Sequence, residues 1–139
     1  MVTTVASNEA EYKIVYQRIA DAFGDPNILD PDNINGNSIN IIDDTNGVIR
    51  LVFSTFTNCW YVQHLWGDKT TWLPLLKAMN AELISRGEEN TPVRWRDTPN
   101  SVLNTFVNKL KIRTVIDEEI NKDMYEITPL EAVSVLTTI

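Results

Sequence analysis

The sequence predicts a single α+β domain over residues 1–139, with a mixed, largely antiparallel central sheet flanked by helices. Three observations predict it. Asn46-Gly47 separates two β-branched runs, residues 39–43 and 48–53, as a tight hairpin turn does, because both turn residues tolerate positive φ. Several stretches repeat apolar residues at helical spacing. One of those helices falls between two strands, which signals a parallel right-handed crossover inside an otherwise antiparallel sheet.

Each element follows from local chemistry. Asn8-x-x-Glu11 forms a capping box ahead of Tyr12, Val15, Tyr16, Ile19, Ala22 and Phe23, one face of a helix that Gly24 can stop. Residues 25–37, rich in Asp, Asn and Pro, read as a loop. The hairpin comes next, and residues 59–65 add a third strand after the polar tip at 54–58, which makes a meander. Thr71 can cap a helix to about Arg86, with Pro74 in its first turn and Trp72, Leu75, Leu76, Met79 and Leu83 on its apolar face. Gly87 ends it. Residues 91–96 form a short strand. Thr98-Pro99 then opens a helix whose stripe is Val102, Leu103, Phe106, Val107 and Leu110. Residues 111–117 and 122–127 close the sheet as a strand pair. Thr128-Pro129-x-Glu131 is a capping box for a C-terminal helix over residues 129–139, with Leu130, Val133 and Leu136 expected inward.

The 139 residues suit one domain with one core, and 43% hydrophobic with 22% charged residues is ordinary for a globular chain. A net charge of −7 argues against a basic nucleic-acid surface, since phosphate binding needs clustered Lys and Arg. It permits a basic partner or mimicry of nucleic acid, and it also serves solubility alone. One cysteine, Cys59, and one histidine, His64, exclude an internal disulfide and leave no ligand set for structural zinc. Without a basic leader or a membrane-length apolar run, the chain reads as cytoplasmic and soluble.

The order α–β–β–β–α–β–α–β–β–α resembles the GNAT acetyltransferase superfamily over roughly residues 9–127. In that family a glycine-rich turn between strand and helix cradles the coenzyme A pyrophosphate, shortly before a Leu-Leu pair. Here Leu75-Leu76 match the pair and Val62 matches the strand. The glycine positions fall on Asp68, Thr70 and Trp72. Glycines let backbone N–H groups approach phosphate at a helix N-terminus. Asp68 adds negative charge there, Trp72 adds bulk, and Lys69, Thr70 and Thr71 compensate only in part. In the later helix Asn100, Phe106, Lys109 and Leu110 match the family pattern, but the position of its acid Tyr holds Val107. Cys59-Trp60-Tyr61-Val62, Trp66 and Asp97-Thr98 are similar to the acetyltransferase-like internal virion or assembly proteins of short-tailed phages, which also lack the glycine loop.

Trp60, Trp66 and Trp72, with His64, lie where acyl carrier and substrate would meet in such a fold. One reading makes them an aromatic pocket with His64 as general base. The other places Trp60, Val62 and His64 on one strand face with the tryptophans in the core or at its rim. Glu118 and Glu119 read as a solvated turn rather than a carboxylate pair. Arg94 and Arg96 read as an exposed face paired with acids, against an anion site, and Cys59 as a buried, inert thiol.

The leading functional expectation is a GNAT-fold, phage-type protein that has lost efficient acetyl-coenzyme A binding. It would act through contacts with a virion or host protein, in host cytoplasm or virion, with no cofactor and no membrane or direct nucleic-acid partner. The runner-up is an active N-acyltransferase using acetyl-coenzyme A on a small or protein amine, with Lys69, Thr70, Thr71 and Asn100 on the cofactor and His64 as base. A third reading is an acidic inhibitor or nucleic-acid mimic. Oligomeric state is left open.

Overall fold

The computed structural model describes residues 3–5, 14, 17–18, 21, 38–43, 47–66, 72–95, 112–119 and 121–137. Seven strands form one sheet: β1 (Thr3–Val5), β2 (Ser38–Asp43), β3 (Gly47–Ser54), β4 (Cys59–Trp66), β5 (Val93–Trp95), β6 (Arg113–Ile116) and β7 (Asp123–Ile127). Two helices are described along their length, α1 (Trp72–Ser85) between β4 and β5, and α2 (Pro129–Thr137) after β7. The spatial order is β1-β2-β3-β4-β5-β7-β6. Every adjacent pair is antiparallel except β4 and β5, which α1 joins as a parallel crossover. The predicted α+β class and mixed sheet are therefore observed. Of the expected N-terminal helix only residues 14, 17, 18 and 21 are described, and all four are helical. The loop at 25–37, the cofactor-type turn at 67–71 and the helix after Thr98-Pro99 lie outside the described residues.

Strand β1 was not expected. Three residues, Thr3 to Val5, pair with Asp43 to Ile41 at the sheet edge. So short a run shows no alternation for a sequence pattern to register, although Thr and Val suit a strand.

The main core cluster lies on one face of the sheet, under α1 and α2, while Ile42, Val48 and Met124 are buried on the other. Ile39 and Ile41 of β2, Ile49 and Leu51 of β3, Trp60 of β4, and Val93 and Trp95 of β5 alternate inward, as the two-residue period of a strand requires. Leu75, Leu76, Met79 and Leu83 supply the matching stripe of α1. Gly87 stops α1 at φ 76°, donating to the carbonyl of Ile84 while Glu88 donates to that of Leu83. That bond pair is a Schellman closure, and the left-handed turn it needs is free of strain only for glycine.

Helix α2 begins with the predicted capping box. Glu131 N–H donates to Thr128 Oγ1 at 3.2 Å, and the Glu131 carboxylate accepts from Thr128 N–H at 3.0 Å. Its inward face differs from expectation. Pro129, Ala132 and Leu136 are buried, whereas Leu130 is 58% and Val133 42% exposed. The bonds of Asn80 to the Pro129 carbonyl and of Leu130 N–H to the Glu89 carbonyl set the rotation of the helix, and one residue of offset turns an α-helix by about 100°.

Candidate functional site

Two features converge on β4 and β5. The first is the place where these strands separate. β4 runs to Trp66, yet it pairs with β5 only at Trp60↔Val93 and Tyr61↔Arg94. A bulge against β3 interrupts the register between Arg50 and Leu51, so Val62 opposes Leu51 while His64 opposes Arg50. An extra residue of this kind bends a strand and increases its twist. The side chains of His64, Trp66 and Trp72 lie outside the described residues, as do Lys69, Thr70, Thr71 and Asn100.

A cavity of about 60 Å³ lies beside the separating strands. Val62, Val93, Trp95 and Ile127 wall it from the sheet, Leu76, Met79 and Asn80 from α1, and Ala132, Val135 and Leu136 from α2. Asn80 is the one polar side chain among these walls, and its amide donates to the Pro129 carbonyl at 3.1 Å. Leu130 N–H donates to the carbonyl of Glu89 at 2.9 Å. Together these bonds seat α2 beside the opening. Trp60 does not line this cavity. It is buried in the core with its ring 5.1 Å from that of Phe53, which is the core alternative of the two left open by the sequence.

The second feature is a polar network on the opposite face of the sheet. Tyr61 and Arg94 are neighbours across β4 and β5 and point away from the core. Thr57 Oγ1 lies 2.6 Å from the Tyr61 hydroxyl, which donates to Asp117 Oδ2 at 2.5 Å. Arg94 donates to Asp117 at 2.8 Å, to Glu118 at 3.1 Å and to Glu126 at 2.8 Å. Glu126 also accepts from Arg113 at 2.9 Å, and Arg113 donates onward to Glu131 at 2.8 Å. One connected chain thus runs from the β3–β4 turn to the cap of α2. Arg94 is buried rather than on the exposed face expected of it, because Asp117 and Glu126 compensate its charge. Glu118 and Glu119 lie in an exposed turn, as expected.

The electrostatics follow from these bonds. Burial, followed by the hydrogen bond to Asp117, pushes the Tyr61 hydroxyl up to about 12. Burial likewise raises the Cys59 thiol, leaving it protonated and unreactive near neutrality. The bond from Arg94 lowers Glu118. The bond from Arg113, aided by the Thr128 backbone, lowers Glu131 to about 2. Burial opposes the charge on Arg94, but its three carboxylate partners outweigh it and raise the guanidinium. These groups are committed to one another. Among the described residues, no three metal-ligating side chains cluster.

Solved structures share this architecture. An aminoglycoside 6'-N-acetyltransferase from Enterococcus faecium superposes with a TM-score of 0.57, covering 93% of this chain and 97% of its own, at 10% identity. The PaiA N-acetyltransferase from Thermoplasma acidophilum, solved in complex with coenzyme A, gives 0.50 over 92% and 99%, at 15% identity. The chain has the GNAT fold. At such identities the likeness speaks for fold alone. No protein-family profile and no curated protein sequence matches the chain.

Among the sequence candidates, Trp60 is described and sits in the core. Sequence reasoning missed the Tyr61–Asp117–Arg94 triad, whose members stand 56 and 23 residues apart along the chain. The only signal available was indirect: Arg94 and Tyr61 sit out of phase with their apolar strand neighbours.

Proposed function

We propose that this chain uses the GNAT fold without acetyl transfer and acts through protein contacts, in virion assembly or host interaction. The observation that carries the reading is the nature of the opening beside β4 and β5. Apart from Asn80 its described walls are apolar, and they contain no titratable group, with Ala132, Val135 and Leu136 of α2 packed beside it. A general base must reach the proton it removes, and no described residue of this cavity can do so. The nearby titratable groups, Tyr61, Arg94, Asp117 and Glu126, are held in mutual bonds on the other face. Asp68, Thr70 and Trp72 in place of glycines support the same conclusion from sequence.

Acetyl-coenzyme A added during thermal unfolding tests it. A cofactor at a hundred times its Kd stabilises by about 2.7 kcal/mol. For a domain of this size that is a melting-temperature rise of roughly 10 °C. No rise is expected at millimolar cofactor, and a clear rise would overturn the reading. A second reading, acyl-coenzyme A-dependent N-acyltransfer, is favoured by one observation: β4 and β5 still separate after two register pairs, beside a bulge. It predicts both the rise and release of free thiol in the presence of an amine. The acidic-mimic reading draws no such support, because Asp117, Glu118, Glu126 and Glu131 each pair with an arginine.

A further inference from the structure

The turn joining β3 to β4 presents a large aromatic residue to solvent. Phe56 is 70% exposed at its tip, between Thr55 and Thr57. A single exposed apolar residue is ordinary by itself; what distinguishes Phe56 is how its turn is held and what stands beside it.

This turn is fastened at both ends. Phe56 N–H donates to Ser54 Oγ at 3.2 Å, and that hydroxyl donates to Glu119 Oε2 at 2.6 Å. Thr57 bonds the Tyr61 hydroxyl, and Asn58 closes the turn at φ 55°, a conformation that Asn tolerates better than most residues. A contact residue held in place before binding loses less conformational freedom on association.

The bond to Glu119 brings a second turn alongside. Residues 117–119 follow β6, whose last residue, Ile116, is 66% exposed. Asp117 anchors that turn by accepting from Arg94 and Tyr61 on one oxygen and from Glu119 N–H on the other. Glu118 and Glu119 stand exposed on it, Glu118 bonded through one oxygen to Arg94 and Glu119 to Ser54, with Asp123 nearby and Lys122 as the one exposed cation between them. An aromatic anchor beside acidic residues is the arrangement of an interface with an apolar centre and a charged rim.

From this geometry we infer that the paired β3–β4 and β6–β7 turns form a docking surface for a basic protein segment, with Phe56 as the anchor and Glu118 and Glu119 as its acidic rim. Charge selects the class of occupant. The acids repel a phosphate backbone and an anionic membrane, and a chain of net charge −7 repels a second copy of itself. A segment with Lys or Arg flanking an apolar side chain fits both parts of the surface.

This inference rests on the protein-contact reading, and its test is separate from cofactor binding. A fluorescein-labelled peptide of alternating lysine and leucine is titrated with the full chain and followed by anisotropy. Its glutamate–leucine counterpart and phosphatidylglycerol vesicles are titrated in parallel. Saturable binding is expected for the basic peptide alone. Phe56→Ser should weaken it by at least about tenfold, as loss of a central aromatic anchor does. Glu118→Gln with Glu119→Gln should weaken it severalfold, more at low salt than at high. Phe56→Ser should melt as the wild type does, since Phe56 is exposed. The double Gln variant should melt close to it, since each Gln keeps an acceptor, for Arg94 and for Ser54, while Asp117 and Glu126 still compensate Arg94. No saturable binding, binding unchanged in Phe56→Ser, equal binding of the acidic peptide, or capture by the vesicles would each overturn the inference. A rise in melting temperature with acetyl-coenzyme A would instead strike the parent reading while leaving these titrations interpretable.

Discussion

The two faces of this sheet are built by opposite means. One face is apolar: Ile41, Ile49, Leu51, Trp60 and Val93 meet the stripes of α1 and α2. The other carries Tyr61, Arg94 and Glu126, fastened by Asp117 into a buried electrostatic chain. The apolar face gains stability from area removed from water, which is forgiving of detail. The polar face gains little net free energy per contact, but breaking it leaves a charge buried without a partner. The lesson is an asymmetry: the polar network should be more brittle than the apolar cluster, although apolar residues such as Val48 and Met124 are buried on its face too.

Four changes break or sharpen that comparison. The largest effect is expected from Asp117→Ala, which leaves the buried Arg94 guanidinium and the Tyr61 hydroxyl short of an acceptor. A loss of about 3–5 kcal/mol is expected, read by urea denaturation. Leu83→Ala on the apolar face creates a cavity instead, and should cost about 2–5 kcal/mol by the same measurement. If Leu83→Ala proves clearly the more damaging, the polar face is not the brittle one. Thr128→Ala removes the cap of α2 and should cost about 1 kcal/mol, visible as a lower urea midpoint.

Smallest is Arg113→Ala at the exposed end of the network, where solvent screens the ion pairs; about 0–1 kcal/mol is expected. It should nevertheless change the response to acid. Glu131 is lowered to about 2 from 4.5, so its contribution is present above about 4.5 and lost as pH falls toward 2. In Arg113→Ala that acid-dependent loss should shrink, because its largest cause is gone. Tyr61 gives the opposite sign. Its hydroxyl is raised from 10 to about 12, so its contribution is present below 10 and disappears as pH rises toward 12. Melting temperature against pH should therefore fall across that alkaline window in the wild type, and less in Tyr61→Phe.

The same contrast explains what could be read from the sequence. The apolar face was legible because periodicity is local: Leu75, Leu76, Met79 and Leu83 reveal a helix, and Ile39 to Phe53 reveal a hairpin, without knowledge of their neighbours. Caps were legible for the same reason, as Thr128 with Glu131 and Gly87 demonstrate. The polar network was not, because Tyr61, Arg94 and Asp117 are chemically ordinary until the sheet brings them together. Arg94 therefore looked like surface. Helix α2 shows an intermediate case: its existence and start were legible, but its inward face depended on a rotation fixed by packing against Asn80 and Glu89. Trp60 shows how an aromatic near a family's cofactor position can serve the core. The bulge between β3 and β4 was not legible, because one extra residue leaves no mark in a strand's composition.

The chain has the GNAT fold, and we propose that its opening beside β4 and β5 does not serve acetyl-coenzyme A. Calorimetric titration of the intact chain with acetyl-coenzyme A tests it most directly. The account predicts no saturable heat at millimolar cofactor. A saturable isotherm with a Kd below about 1 mM, the upper end of ordinary enzyme Michaelis constants, would contradict it.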